Sequence, residues 1–270
     1  MFYGAHYGSV KIGHTQMDYI AFGRGERALV MIPGLGDALR TLKHMSIPFA
    51  AMYRQYAKRF QVYVFSRKSR LEDGYSTRDM ADDLAEAMQK LGLSKASVMG
   101  FSQGGMIAQH MAIRHPQRVE KLVLAVTVCR PNDTLLHTVG DWVAMAEAGD
   151  YRGIVVDTAE RSYSEKALQK YRPFYPILSR LGKPKDFGRF IIQAHACMQH
   201  DAYLELPRIQ CPTLAIGGGS DKVVGGNATN EIAASIPHCK CIVYEGLGHM
   251  AYEEADDFDA QVLRFLTASD

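Results

Sequence analysis

Short apolar runs ended by turn residues alternate along this chain with segments whose apolar positions recur three and four apart. Residues 9–22 alternate loosely and predict two strands joined near Gly13 and His14. Residues 27–32 form an apolar run stopped by Pro33-Gly34-Leu35-Gly36, the pattern of a strand buried on both faces. Residues 61–65, 96–100, 122–129, 212–217 and 240–244 read as further strands. Helices are expected over 47–59, 104–115, 227–235 and 255–267. Another starts at a Ser76 or Thr77 cap and carries Met80, Leu84, Ala87, Met88 and Leu91 at helical spacing, with Gly92 at its end. Strands and helices in alternation predict an α/β fold with a mostly parallel sheet covered on both faces.

The rhythm breaks once. Residues 131–206 contain no strand run, but they carry helix-like segments at 142–147, 164–171 and 187–198. The expected organisation is a core of residues 1–130 and 207–270 with a helical cap, 131–206, inserted into it. Pro173 and Pro176 mark a break between cap helices. Cap aromatics such as Trp142, Tyr151, Tyr163 and Phe190 serve either as an apolar lid or as helix-packing core.

The strongest chemical signal is Gly100-Phe101-Ser102-Gln103-Gly104-Gly105, which fits G-x-S-x-G between a predicted strand and a predicted helix. Glycines two residues either side of a serine leave room for a sharp turn that exposes its hydroxyl above a helix N-terminus. A serine hydroxyl needs a base oriented by a carboxylate. His249, in Glu245-Gly246-Leu247-Gly248-His249, follows the last predicted strand and is the best placed of ten histidines; His44, His110, His195 and His200 are weaker candidates. Asp221, in Gly217-Gly218-Gly219-Ser220-Asp221, follows the preceding strand. Strand ends of a parallel sheet share one edge, so Ser102, Asp221 and His249 can meet there. Asp133 is the rival carboxylate. An oxyanion needs backbone N–H donors, for which the amides of Gln103 and Leu35 are the candidates.

These pieces, in this order, resemble the α/β-hydrolase superfamily over nearly the whole chain. Pro33 departs from the common pattern, in which a histidine often precedes the first glycine. The resemblance implies an eight-stranded, mostly parallel sheet flanked by helices, with 131–206 as the variable cap between the sixth and seventh strands. It implies a serine hydrolase, acting on a carboxylic ester or a related thioester or lactone through an acyl-enzyme. It implies no metal and no organic cofactor. A serine at position 102 excludes the epoxide hydrolases and dehalogenases of the family, which place an aspartate there. Carbon–carbon bond hydrolases, acyltransferases, cofactor-free perhydrolases and ligand-binding members of the fold share the same framework.

Composition narrows the remaining possibilities. Hydrophobic residues make up 47% and charged residues 22%, as in an ordinary globular chain. Thirty-one Lys and Arg against 29 Asp and Glu leave a net charge of +2, which gives no footprint for nucleic acid. The expected partner is therefore a small-molecule substrate with an apolar part. No apolar stretch approaches the roughly 20 residues of a membrane span, and no signal peptide is visible at the start. Five cysteines without framework spacing suit a reducing cytoplasm. His238-Cys239-Lys240-Cys241 lacks a second ligand cluster for zinc, so its cysteines read as buried thiols. Arg67, Lys68 and Arg70, after the fourth predicted strand, read as a solvated loop, with attraction of a substrate carboxylate as the alternative.

Overall fold

A computed structural model of the chain describes residues 2–39 and 42–268. The strands are β1 (His6–Ile12), β2 (Thr15–Gly23), β3 (Arg27–Ile32), β4 (Phe60–Lys68), β5 (Ala96–Phe101), β6 (Val119–Ala125), β7 (Thr213–Gly218) and β8 (Cys239–Tyr244). They form one sheet in the order β1-β2-β4-β3-β5-β6-β7-β8. The β1–β2 and β2–β4 pairs are antiparallel, and every pair from β4 to β8 is parallel. This is the expected α/β architecture.

The helices are α1 (Ser46–Met52), α2 (Arg54–Ala57), α3 (Thr77–Lys90), α4 (Gln103–Arg114), α5 (Asp133–Glu147), α6 (Tyr151–Ser162), α7 (Glu165–Tyr171), α8 (Tyr175–Leu178), α9 (Gly188–Met198), α10 (Ala228–Ser235), α11 (Ala251–Glu254) and α12 (Phe258–Thr267). Successive side chains of the central strands go to opposite faces. On β3, Val30 and Ile32 pack with Met80, Ile107 and Ile232 of α3, α4 and α10, while Leu29 and Met31 pack with Ala50, Tyr56 and Val262 of α1, α2 and α12. Both faces are therefore dry, which is why these strands read as continuous apolar runs. Ser76 caps α3 through a reciprocal capping box with Asp79.

Helices α5 to α9 lie between β6 and β7 in sequence. Leu135, Val139, Trp142 and Phe190 of this insertion bury against Leu35, Met106 and Val224 from the sheet's loops and α4. The insertion thus has no separate core: its apolar stripe is buried by the elements around the sheet's carboxyl edge.

Several elements differ from the sequence reading. The helix expected over 47–59 is two, because the chain turns at Tyr53 (φ −96, ψ 28). The closing helix expected over 255–267 starts at Phe258, and a separate short helix, α11, ends just before the expected range. The strand expected to reach 129 stops at Ala125, where Val126 takes a positive φ of 47°. Helix α6 was not expected: Gly153 and the β-branched Ile154, Val155 and Val156 weaken its local signal, and burial of Tyr151 and Ile154 supplies what propensity lacks. The reading of Cys239 and Cys241 as buried thiols is overturned. β8 is an edge strand, Cys239 is half-buried and Cys241 is exposed. Among the described residues no cluster of three or more His, Cys, Asp or Glu side chains could hold a metal. Among them, too, no helix is long and apolar enough to cross a membrane.

Candidate active site

Ser102 occupies the corner between β5 and α4 with φ 52° and ψ −119°, a conformation that side chains rarely adopt. The surroundings over-determine it. Its N–H donates to the carbonyl of Ala125 at 2.9 Å, and its own carbonyl accepts from the Thr127 hydroxyl at 2.7 Å and the Gly105 amide at 2.8 Å. Such strain persists only where neighbours enforce it, at about 1–3 kcal/mol per residue. Gly104 shows why the motif needs glycine: a Cβ there would lie 1.9 Å from the carbonyl oxygen of Ile32. The loop after β3 also packs on the serine, less tightly: a Cβ on Gly34 would sit 3.2 Å from Cβ of Ser102.

His249 lies in the loop after β8 and Asp221 in the loop after β7. Nδ1 of His249 is 2.8 Å from Oδ2 of Asp221, and both residues are buried. The other oxygen, Oδ1, accepts from the amides of Val223 at 2.8 Å and Val224 at 2.9 Å. A carboxylate only accepts, so this pairing puts the imidazole hydrogen on Nδ1 and leaves Nε2 as the acceptor. The rival Asp133 is instead the first residue of α5, and of the two carboxylates it is Asp221 that meets His249. The other candidate histidines lie elsewhere. His110 and His200 are buried against each other, their rings 5.1 Å apart, with Nδ1 of His200 3.0 Å from the Thr77 hydroxyl. Burial lowers the pKa of His110 to about 4 and holds that of His200 well below the usual range.

Ser102, His249 and Leu35 border one cavity of about 470 Å³. Its walls include Met45, which precedes α1, Phe49 from α1, Trp142 from α5, Ile154, Val155 and Thr158 from α6, and Phe190 from α9. The insertion therefore supplies one wall, and some of its aromatics line the cavity while Tyr171 and Phe174 are exposed. No Lys or Arg is among the described lining residues, and the sole carboxylate among them, on Asp37, already accepts from the Ser66 hydroxyl at 2.7 Å. Leu35 begins a single 3-10 turn, Leu35–Leu39, and Gln103 is the first residue of α4. The amide of a first helical residue has no acceptor in its own helix, so that of Gln103 is open to an oxyanion.

Comparison with known proteins agrees with this fold. A family profile described as the alpha/beta hydrolase fold matches residues 27–152. The crystal structure of the enol-lactonase from Burkholderia xenovorans LB400 superposes with a TM-score of 0.82, covering 97% of this chain and 100% of that one at 20% identity. The chain has the α/β-hydrolase fold. Among its curated relatives is a putative carbamate hydrolase RutD of Caulobacter sp. (strain K31), 26% identical over 234 residues, covering 81% of this chain and 85% of that protein. Another is the pimeloyl-[acyl-carrier protein] methyl ester esterase of Chromobacterium violaceum, 28% identical over 202 residues, covering 73% and 79%. These relatives are named as hydrolases of different bonds.

The basic cluster begins inside β4, whose last residues are Arg67 and Lys68, and its first residue is neither in a solvated loop nor a substrate clamp. The side chain of Arg67 is only 2% exposed. Its Nη2 donates to the carbonyl of Pro33 at 2.6 Å and to Oε1 of Gln103 at 2.7 Å. Its Nη1 lies 3.8 Å from the equally buried Asp37. Burial lowers the Arg67 pKa, and the Asp37 charge opposes that effect. Lys68 turns the other way, to Asp83 at 3.1 Å and over the ring of Tyr75. Strict alternation does not find Arg67: β4 buries Phe60, Val62 and Val64, then shifts phase at Phe65, so Arg67 goes inward with Phe65 where period two from Phe60 would bury Ser66 and Lys68.

Proposed function

We propose that the chain is a serine esterase that hydrolyses an uncharged carboxylic ester with an apolar part, through an acyl-enzyme. The observation that carries this reading is the Asp221–His249 pair beside a strained Ser102 on the wall of one apolar cavity. Ser102 Oγ attacks the carbonyl carbon while Nε2 of His249 takes the hydroxyl proton. Asp221 holds the Nδ1–H tautomer and stabilises the imidazolium. The carbonyl π electrons move to oxygen, and the amides of Leu35 and Gln103 donate to the resulting oxyanion. The tetrahedral adduct collapses, the bond to the leaving oxygen breaks, and His249 gives that oxygen its proton. Water then attacks the acyl carbon, giving a proton to His249, and Ser102 takes it back as the acid leaves.

The cavity supports the substrate class. A volume of about 470 Å³ suits a small or medium ligand, and apolar walls favour burial of hydrocarbon. A second carboxylate on the substrate would lose its hydration there without meeting a cation among the described lining residues, which favours a neutral ester over the acidic substrates open to a carbon–carbon bond hydrolase. The inserted helices act on this reading as a cap that walls the acyl or alcohol group.

The test is site mapping by mass spectrometry after treatment with a fluorophosphonate, beside a panel of p-nitrophenyl esters of graded chain length. Labelling at Ser102 that is abolished in His249→Ala, with turnover on the panel, is the expected result. Absence of both from folded protein would overturn the proposal in favour of a binding member of the fold.

A further inference from the structure

We propose that Arg67 is a positioning residue that fixes the distance between the two oxyanion-hole amides, and that helix α9 of the insertion orients the side chain through which it does so. The proposal rests on the esterase reading of the site. Its geometric basis is one nitrogen. Nη2 of Arg67 bonds at once to the carbonyl of Pro33, two residues before the Leu35 amide, and to the side chain of Gln103, whose own amide is the other donor. The two arms come from loops after different strands, β3 and β5, and among the described residues they share no hydrogen bond of their own beyond those strands' pairing. A single guanidinium between them therefore sets their separation.

Helix α9 holds both ends of this arrangement. Nε2 of Gln103 donates to the carbonyl of Gln193 at 2.9 Å and lies 3.2 Å from Sγ of Cys197. That carbonyl is a pure acceptor, so it fixes which end of the Gln103 amide faces the guanidinium. On the other arm, Asp37 follows Leu35 by two residues. Its Oδ2 accepts from the Ser66 hydroxyl at 2.7 Å and from the Arg67 amide at 3.3 Å, and Nη2 of Arg189 in α9 stands 3.5 Å away. Arg189 also donates to the backbone carbonyls of Arg67 and Lys68. Nε and Nη1 of Arg67 have no hydrogen-bond partner among the described residues. A group chosen for stability alone would not be left so: an apolar side chain of equal volume fills a buried site at least as well. Arg67 is retained where its two best bonds reach the two arms and little else.

The experiment uses the full chain and the variants Arg67→Met and Arg67→Lys, with three readouts: kcat and KM on the best ester, the inhibition constant of a trifluoromethyl ketone, and the thermal midpoint. That ketone adds Ser102 to form an oxyanion, so its affinity reports the donors directly. For Arg67→Met the expected result is a fall in kcat of about 30-fold, KM within about twofold, and affinity for the ketone weakened in step with kcat. Arg67→Lys, which keeps the charge but can satisfy the two acceptors less well, is expected to lose about fivefold. A folded variant with kcat and ketone affinity within about threefold of the parent would overturn the proposal, as would a loss that falls on KM alone. Should Arg67→Met fail to fold, the same two criteria apply to Arg67→Lys with a threshold of twofold. A parent chain that neither labels at Ser102 nor turns over esters sinks the esterase reading and this inference with it; an active parent matched by its Arg67 variants sinks this inference alone.

Discussion

The two sides of the candidate site are held by opposite means. On the β7–β8 side, Asp221 is fixed by two backbone amides and His249 by Asp221, so orientation passes through short, local bonds. On the β3–β5 side, the donors for an oxyanion sit on loops joined by a buried cation whose supports come from a helix far away in sequence. The first arrangement depends on loop geometry that a few residues can encode. The second depends on several buried polar groups being satisfied together, and removal of one leaves others unpaired at about 1–3 kcal/mol each. On the proposed esterase reading, chemistry that is all-or-none, the proton relay, would rest on the local device, while a graded quantity, the placing of two amides, would rest on the long-range one.

That contrast sets the order of the expected effects. Removing the reacting groups, as in Ser102→Ala or His249→Ala, should lower kcat on esters by about 10⁵- to 10⁶-fold with the thermal midpoint nearly unchanged. Loss of less than tenfold would place the chemistry elsewhere in the cavity. Asp221→Asn should cost about 10⁴-fold by permitting the wrong imidazole tautomer, whereas Asp133→Asn should stay within about twofold. Comparable losses for both would break the assignment of the local side. A carboxylate added to the distal end of the best acyl chain should reduce kcat/KM by about 10²-fold against its neutral isostere, since the described lining residues of the cavity include no Lys or Arg. Equal rates would mean that the chain's end lies outside, in water.

The smallest effect concerns acid. His110 lies within α4, which begins next to Ser102, and it is buried with His200 as a neutral pair near Arg78, Arg114, Asp82 and Glu205. Burial takes the pKa of His110 from its ordinary 6.5 to about 4. The unfolded chain therefore binds this proton first as pH falls. Stability is full above pH 6.5 and declines from there toward pH 4, by about 2 kcal/mol at pH 5. Urea midpoints at pH 7 and pH 5 measure this, and His110→Leu should flatten the decline. An unaltered slope in that variant would assign the acid sensitivity to other groups.

Much of the serine side was legible because its constraints are local and steric. The glycines around Ser102 are demanded by backbone within a few ångströms, as the clash of a Cβ at Gly104 with Ile32 shows, so they leave a contiguous motif. Asp221 and His249 followed from strand order, because parallel strands deliver their loops to one edge. Arg67 was misread for the complementary reason. Its acceptors are carbonyls and an amide on other elements, none of which marks a sequence, and a cation beside Lys68 and Arg70 looks like a wet loop. Cys241 failed similarly: alternation gives a strand's faces, but whether the strand is central or at an edge depends on pairing order. Helix α6 shows the third limit, where tertiary burial overrides weak local propensity.

An insertion between two strands invites the view of a replaceable part, free to be exchanged between relatives while the sheet stays as it is. The contacts of α9 argue against free exchange. A foreign segment in place of residues 131–206 would have to bring a carbonyl to the position of the Gln193 oxygen and a cation to that of Arg189, or it would strand the Gln103 amide and the buried Asp37 in the host. Recombination across this boundary thus has a grammar: the segment that shapes the acyl pocket and the residues at 37, 67 and 103 are inherited together, and chimeras that part them should fold around their sheets yet turn over slowly.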